Sequence, residues 1–132
     1  MMTLRKILRD KLKAITPHVY YMKKPKDVSG PYLIYHILQV SSPYEYEDRF
    51  VLDIDGWDRS VSGDSTPLES LLETLDGDGA LVGASGLHHA VIIADEWLVT
   101  FHRISRFPVD EKDEYTFHWL YSYDVKVVKK GV

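Results

Sequence analysis

The 132-residue chain has no cysteine, which excludes disulfide staples and thiolate metal ligands alike. It also has no long apolar run. The longest, Ala90 to Ala94, is far short of a membrane span, so the sequence predicts a soluble protein. The opening stretch MMTLRKILRDKLKAI breaks up its apolar positions with Lys and Arg, whereas a signal peptide needs a continuous apolar core. A net charge of −4, with the basic residues dispersed, leaves no basic stripe of the kind that marks a nucleic-acid surface. Apolar material is not in short supply. Hydrophobic residues make up 45% and charged residues 27%, an ordinary balance for one globular domain spanning 1–132.

The first helix is carried by Leu4, Ile7, Leu8, Leu12 and Ile15, spaced three or four apart. Thr3 is its expected N-cap and Pro17 its stop, since proline disfavours helical geometry in the residue before it. Arg5, Lys6, Arg9, Lys11 and Lys13 fill the outer face, read as solvated rather than as an anion site. A short strand, His18 to Met22, follows. Tyr32 to Val40 is apolar on both alternating faces, the pattern of a central strand covered from both sides. The second helix is the best punctuated: Thr66 as N-cap, Pro67 at the first position, Glu69 closing a capping box. Leu68, Leu71, Leu72 and Leu75 make its buried stripe, and Gly77 ends it. Asp76 to Gly86 reads as a flexible glycine-rich connection without the Gly-Lys-Ser/Thr element of a phosphate loop. LHHAVIIAD, EWLVTFHRISRF and EYTFHWLYSYDVKVV supply two or three closing strands, the last two joined by the acidic turn PVDEKD. The expected fold is α+β: a mainly antiparallel sheet of four to six strands, two helices packed on one face, in the order α-β-β-β-α-β-β.

The stretch RFVLDIDGWD, Arg49 to Asp58, poses the functional question. Phe50, Leu52 and Ile54 alternate with Val51, Asp53, Asp55 and Trp57, the mark of a half-buried strand. Asp53 and Asp55 stand roughly 7 Å apart by strand rise, and the spacing fails the calcium-loop pattern, so they read as the wet face of the strand. His88 and His89, adjacent in a strand, point to opposite faces and cannot bind one ion together without a bulge. His36, His102 and His118 are scattered over different strands, and no serine stands in a nucleophile elbow. The residues therefore define no catalytic centre, no metal ligand set and no cofactor site.

More apolar sheet surface is present than two short helices can hide, because Tyr32 to Val40 and Leu87 to Ala94 are greasy on both faces. A hairpin folded back over the sheet or a second copy of the chain would cover it. Trp57 and Trp97, near strand ends, are candidate subunit or partner contacts.

Three features together resemble the tail-completion proteins of long-tailed bacteriophages and prophages, which include tail terminators and head-to-tail joining proteins. A strand RFVLDIDGWDRS leads through the spacer VSGDST into the helix PLESLLETLDG. Asp55, Trp57 and Asp58 match an Asp-x-Trp-like element before that helix. The ending FHRISRFPVDEKDEYTFHWLYSYDVKV resembles the family's last hairpin. The glycine-rich insert at Asp76 to Gly86 and the extended LHHAVIIADEW depart from the pattern. The resemblance implies a non-enzymatic subunit that closes into a ring, commonly a hexamer, at the head-proximal end of the tail tube. Its partners would be tail-tube and head-connector proteins, in the host cytoplasm during assembly and then in the virion tail. By position, Tyr44, Glu45, Tyr46, Glu47 and Asp48 would form a loop near the lumen, where like charge lets DNA pass without binding. Two other readings stay open: a dimeric cytosolic binding module, and a metal-dependent hydrolase using Asp53, Asp55 and some of the histidines.

Overall fold

The structure is a computed structural model that describes residues 2–24, 29–42, 44–60, 62–94 and 96–129, with side chains from Leu4 onward. The elements run α1 (Met2–Ile15), β1 (Val19–Tyr21), β2 (Tyr32–Val40), β3 (Glu47–Arg59), α2 (Thr66–Asp76), β4 (Val91–Ala94), β5 (Trp97–Pro108) and β6 (Thr116–Lys129). The six strands form one sheet in the order β1-β2-β3-β6-β5-β4. Every neighbouring pair is antiparallel except β1 and β2, which run parallel, so the sheet is mixed. The α+β class and the expected element order stand, with β4 as the additional strand.

Period-two alternation sorts the strands onto two faces. On one face lie Leu33 and Tyr35 of β2, Phe50, Leu52 and Ile54 of β3, Tyr121, Tyr123, Val125 and Val127 of β6, and Val99 and Phe101 of β5, all buried. Leu4, Leu8 and Leu12 of α1 and Leu68, Leu72 and Leu75 of α2 join them in a single core. Both helices therefore cover this face. A Cβ on Gly56 would come 3.1 Å from Leu68 Cδ1 and Leu72 Cδ2, so the glycine lets α2 settle close to β3. The basic residues of α1 do more than face solvent. The Arg5 guanidinium lies 4.4 Å from the centre of the Tyr21 ring, and Lys13 Nζ lies 4.8 Å from that of Tyr20.

Several local expectations are corrected. Thr3 lies inside α1, whereas a cap needs non-helical backbone. Helix α2 is preceded by Ser65, not Thr66, and Ser65 has helical dihedrals, which keep its hydroxyl from capping. Asp64 Oδ1 takes the Thr66 N–H at 3.0 Å instead. Gly77 does end α2, with a φ of +83°. The segment after it is not a loose connection. Ser85 Oγ accepts from Asp78 N at 2.9 Å, and Asp78 Oδ1 accepts from Ser85 N and Ala80 N, both at 3.1 Å. The loop is pinched shut where the Gly77 and Gly86 backbones touch, since a Cβ on Gly77 would fall 2.2 Å from Gly86 N.

Among the described residues, strand β2 is covered on one face only. Its other face exposes His36, Leu38 and Val40, because both helices lie on the far side of the sheet. The expected strand over Leu87 to Ala94 shrinks to Val91–Ala94, for the chain turns through His88 and His89 before extending.

Candidate functional site

The uncovered face of the sheet is the place to look for function. Its middle is polar and cross-linked. Ser122 Oγ donates to Asp53 Oδ1 at 2.6 Å, and Asp55 Oδ1 faces His118 Nε2 at 2.6 Å. His118 Nδ1 faces Glu111 Oε1 at 2.9 Å, which ties the acidic turn before β6 to the sheet. Trp57 stacks on the His118 ring with centroids 3.6 Å apart. His36 Nδ1 approaches Asp55 Oδ2 at 4.0 Å, and Arg49 Nη2 approaches Asp124 Oδ2 at 3.9 Å. The β3–β6 register makes these pairs, placing Asp53 opposite Ser122 and Trp57 opposite His118.

This geometry answers the question raised by the aspartates. Asp53 and Asp55 sit on the outer face as the alternation predicts, but they are hydrogen-bonded to the neighbouring strand rather than merely solvated. Both ring nitrogens of His118 face carboxylates, so neither is open toward a substrate. Ser122 donates to a carboxylate and has no histidine beside it among the described residues.

The edges of the same face are apolar. Leu38 (65% exposed) and Val40 lie at the β2 side, while Val91 and Ile93 (69% exposed) lie at the β4 side. β1 pairs with β2 only as far as Tyr35. Among the described residues, nothing pairs with the outer edge of β2 from Ile37 to Val40, or with the outer edge of β4. Trp97 faces the opposite way from Trp57. It lies on the helix-covered face, beside Leu4, Ile7, Phe50, Val99 and Val127 around a cavity of about 120 Å³. The two tryptophans therefore cannot serve one contact surface.

The loop expected at a lumen sits at that same end of the sheet. Glu45, Tyr46 and Asp48 line a depression of about 360 Å³ with Trp97 and Lys129. Tyr44 and Tyr46 stack on one another at 5.4 Å and are exposed, as are Glu45 and Asp48. Glu47 is different. It is 8% exposed, accepts from Ser42 Oγ at 2.8 Å and lies 3.5 Å from Arg49 Nε, so it is spent on internal contacts rather than on a lumen. Pro43 lies outside the described residues.

Two clusters escaped the sequence reading. Asp76, at the end of α2, is buried and accepts from Tyr123 Oη at 2.7 Å and from Arg103 Nη1, with Arg106 Nη1 3.8 Å away. Burial, and then Asp76 itself, pushes the Tyr123 hydroxyl far above its ordinary range. These contacts fasten α2 to β5 and β6. The second cluster corrects an inference about histidines. His88 and His89 occupy a turn, with His89 at a φ of +67°, so their rings do not point apart but stack at 3.8 Å. His102 closes the group, its ring 5.3 Å from His88 and 5.5 Å from His89. A local signal existed in the glycines up to Gly86, which favour a turn over a strand. The approach of His102 is set by β5 and has no sequence signature.

No protein-family model matches the chain, and no curated protein matches it. The fold defines the class: an α+β domain whose mixed six-stranded sheet is helix-covered on one face and, among the described residues, bare on the other. No helix among the described residues is long and apolar enough to cross a membrane.

Proposed function

We propose that this chain is a non-enzymatic assembly subunit that closes head to tail into a ring, acting as a tail-completion protein of a long-tailed phage or prophage. One observation carries the reading: the bare face has two exposed apolar rims at opposite edges of the sheet, each beside strand backbone that lacks a partner among the described residues. Strand edges of that kind recruit further strands, and joining two different edges is a heterologous contact that repeats from copy to copy and makes a ring when its rotation closes. The Leu38/Val40 edge of one copy meets the Val91/Ile93 edge of the next. The ring would cap the tail tube or join it to the head connector, with DNA passing through the lumen past Glu45 and Asp48. Six copies follow from the resemblance alone.

Sedimentation velocity tests this directly. The wild-type chain should form a ring-sized species, alone or on mixing with its tail-tube protein. Leu38→Lys and Ile93→Lys should each abolish it, and a mixture of the two variants should stop at a heterodimer, since one good edge of each kind remains. A strict dimer that survives both substitutions would favour the binding module, and a monomer under every condition would remove the proposal.

A further inference from the structure

We infer that His89 and His102, with His88 stacked behind them, form a binding site for a divalent transition ion of the zinc class. One nitrogen from each of the three rings lies within 4.8 Å of the others. Two zinc–nitrogen bonds of about 2.0–2.1 Å set in a tetrahedron separate their nitrogens by roughly 3.3 Å. Small ring rotations close that difference. His89 and His102 line a cavity of about 290 Å³, together with Thr100, Asp124 and Lys126 among others. Asp124 supplies negative charge there against the opposing Lys126.

The hydrogen bonds assign a role to each ring. His89 Nδ1 lies 2.8 Å from the Gly79 carbonyl oxygen, to which it must donate, so the lone pair is on Nε2. A backbone carbonyl on the far nitrogen is the usual way a ligating histidine is oriented. His102 is exposed and has no hydrogen-bond partner among the described residues, so either of its nitrogens is free. His88 is set the other way. Its Nδ1 accepts the Arg103 N–H at 3.0 Å, which places its own proton on Nε2. It therefore acts as a positioning residue, fixing the plane of His89 by stacking, and the ion takes two imidazoles and completes its shell with water. Imidazole donors without thiolates or convergent carboxylates select zinc, nickel or copper over magnesium or calcium.

The test is titration of the untagged chain with Zn²⁺ and Ni²⁺, followed by calorimetry and by nitrogen-15 shifts of the histidine rings. One ion per chain should bind, shifting His89 Nε2 and a His102 nitrogen while His88 keeps its acceptor pattern at Nδ1. His102→Ala and His89→Asn, the latter able to keep the positive φ, should each weaken binding at least roughly ten-fold. Both should melt like wild type, and His36→Ala, an exposed histidine elsewhere on the same face, should bind normally. Calcium and magnesium should give no heat. Absence of zinc binding, binding indifferent to His102→Ala, or binding abolished by Asp53→Ala and Asp55→Ala would each overturn the assignment. The ring proposal has its own readout in the sedimentation experiment and does not depend on this one.

Discussion

The two faces of one sheet are built on different physics. The helix-covered face holds its strands by burial: leucines from both helices, Gly56 letting α2 close in, and the buried Asp76 carboxylate matched by Arg103, Arg106 and Tyr123. The bare face holds itself by cross-strand hydrogen bonds and ion pairs in the middle and leaves its most exposed apolar residues at the rims. The difference shows where stability and interaction are separable. Apolar area already hidden stabilises the monomer, whereas apolar area left at an open strand edge is available to another chain.

The comparison is broken most severely by emptying the core. Leu72→Ala on the covered face should cost about 3 kcal/mol of unfolding free energy in urea titrations. Leu38→Ala on the bare face should stay within about 0.5 kcal/mol. Equal costs would mean that the bare face is already packed against something. The ion clusters give the next contrast. Asp76→Ala strands a partly buried arginine and a buried tyrosine hydroxyl and should cost about 3 kcal/mol. Asp55→Ala, in a wetter site with His118 still held by Glu111, should cost about 1 kcal/mol.

The smallest effect concerns Asp58, on the covered face and buried with no cation beside it among the described residues. Burial lifts its carboxyl above the usual range, the Arg59 backbone N–H pulls it partly back, and Asp64 adds repulsion. The folded chain thus holds this proton more tightly than the unfolded chain does. The resulting stabilisation is complete below the ordinary carboxylate range and is lost as pH rises through the folded value. Asp58→Asn should therefore raise the melting temperature at neutral pH, with the gain shrinking as pH falls through the raised folded value and gone below the ordinary carboxylate value of about 4. A gain independent of pH would place the cause in packing instead.

Much of the covered face was legible beforehand. The leucine stripes of both helices, the split between Phe50/Leu52/Ile54 and Asp53/Asp55/Trp57, and the odd-numbered aromatic face of β6 follow from backbone periods of 3.6 and 2, which neighbouring residues alone establish. Helix capping was misread at α2, because Thr66 is already the first helical residue, Ser65 before it makes no side-chain cap bond, and the Thr66 N–H goes to Asp64 instead. The bare face was legible only in part. Strand β2 carries apolar residues on both sides, and nothing local told that its second side would stay open.

By itself, then, the sequence determined the element types, the side of each strand that seeks a core, and the absence of thiol chemistry. The tertiary structure alone decided which strands became edges, that Asp55 meets His118, that Asp76 meets Arg103, and that three histidines gather at the start of β4. The physical reason is range. Alternation and capping are set within a few residues, whereas register and edge position are fixed by hydrogen bonds between segments far apart in the chain, whose partners no short window contains.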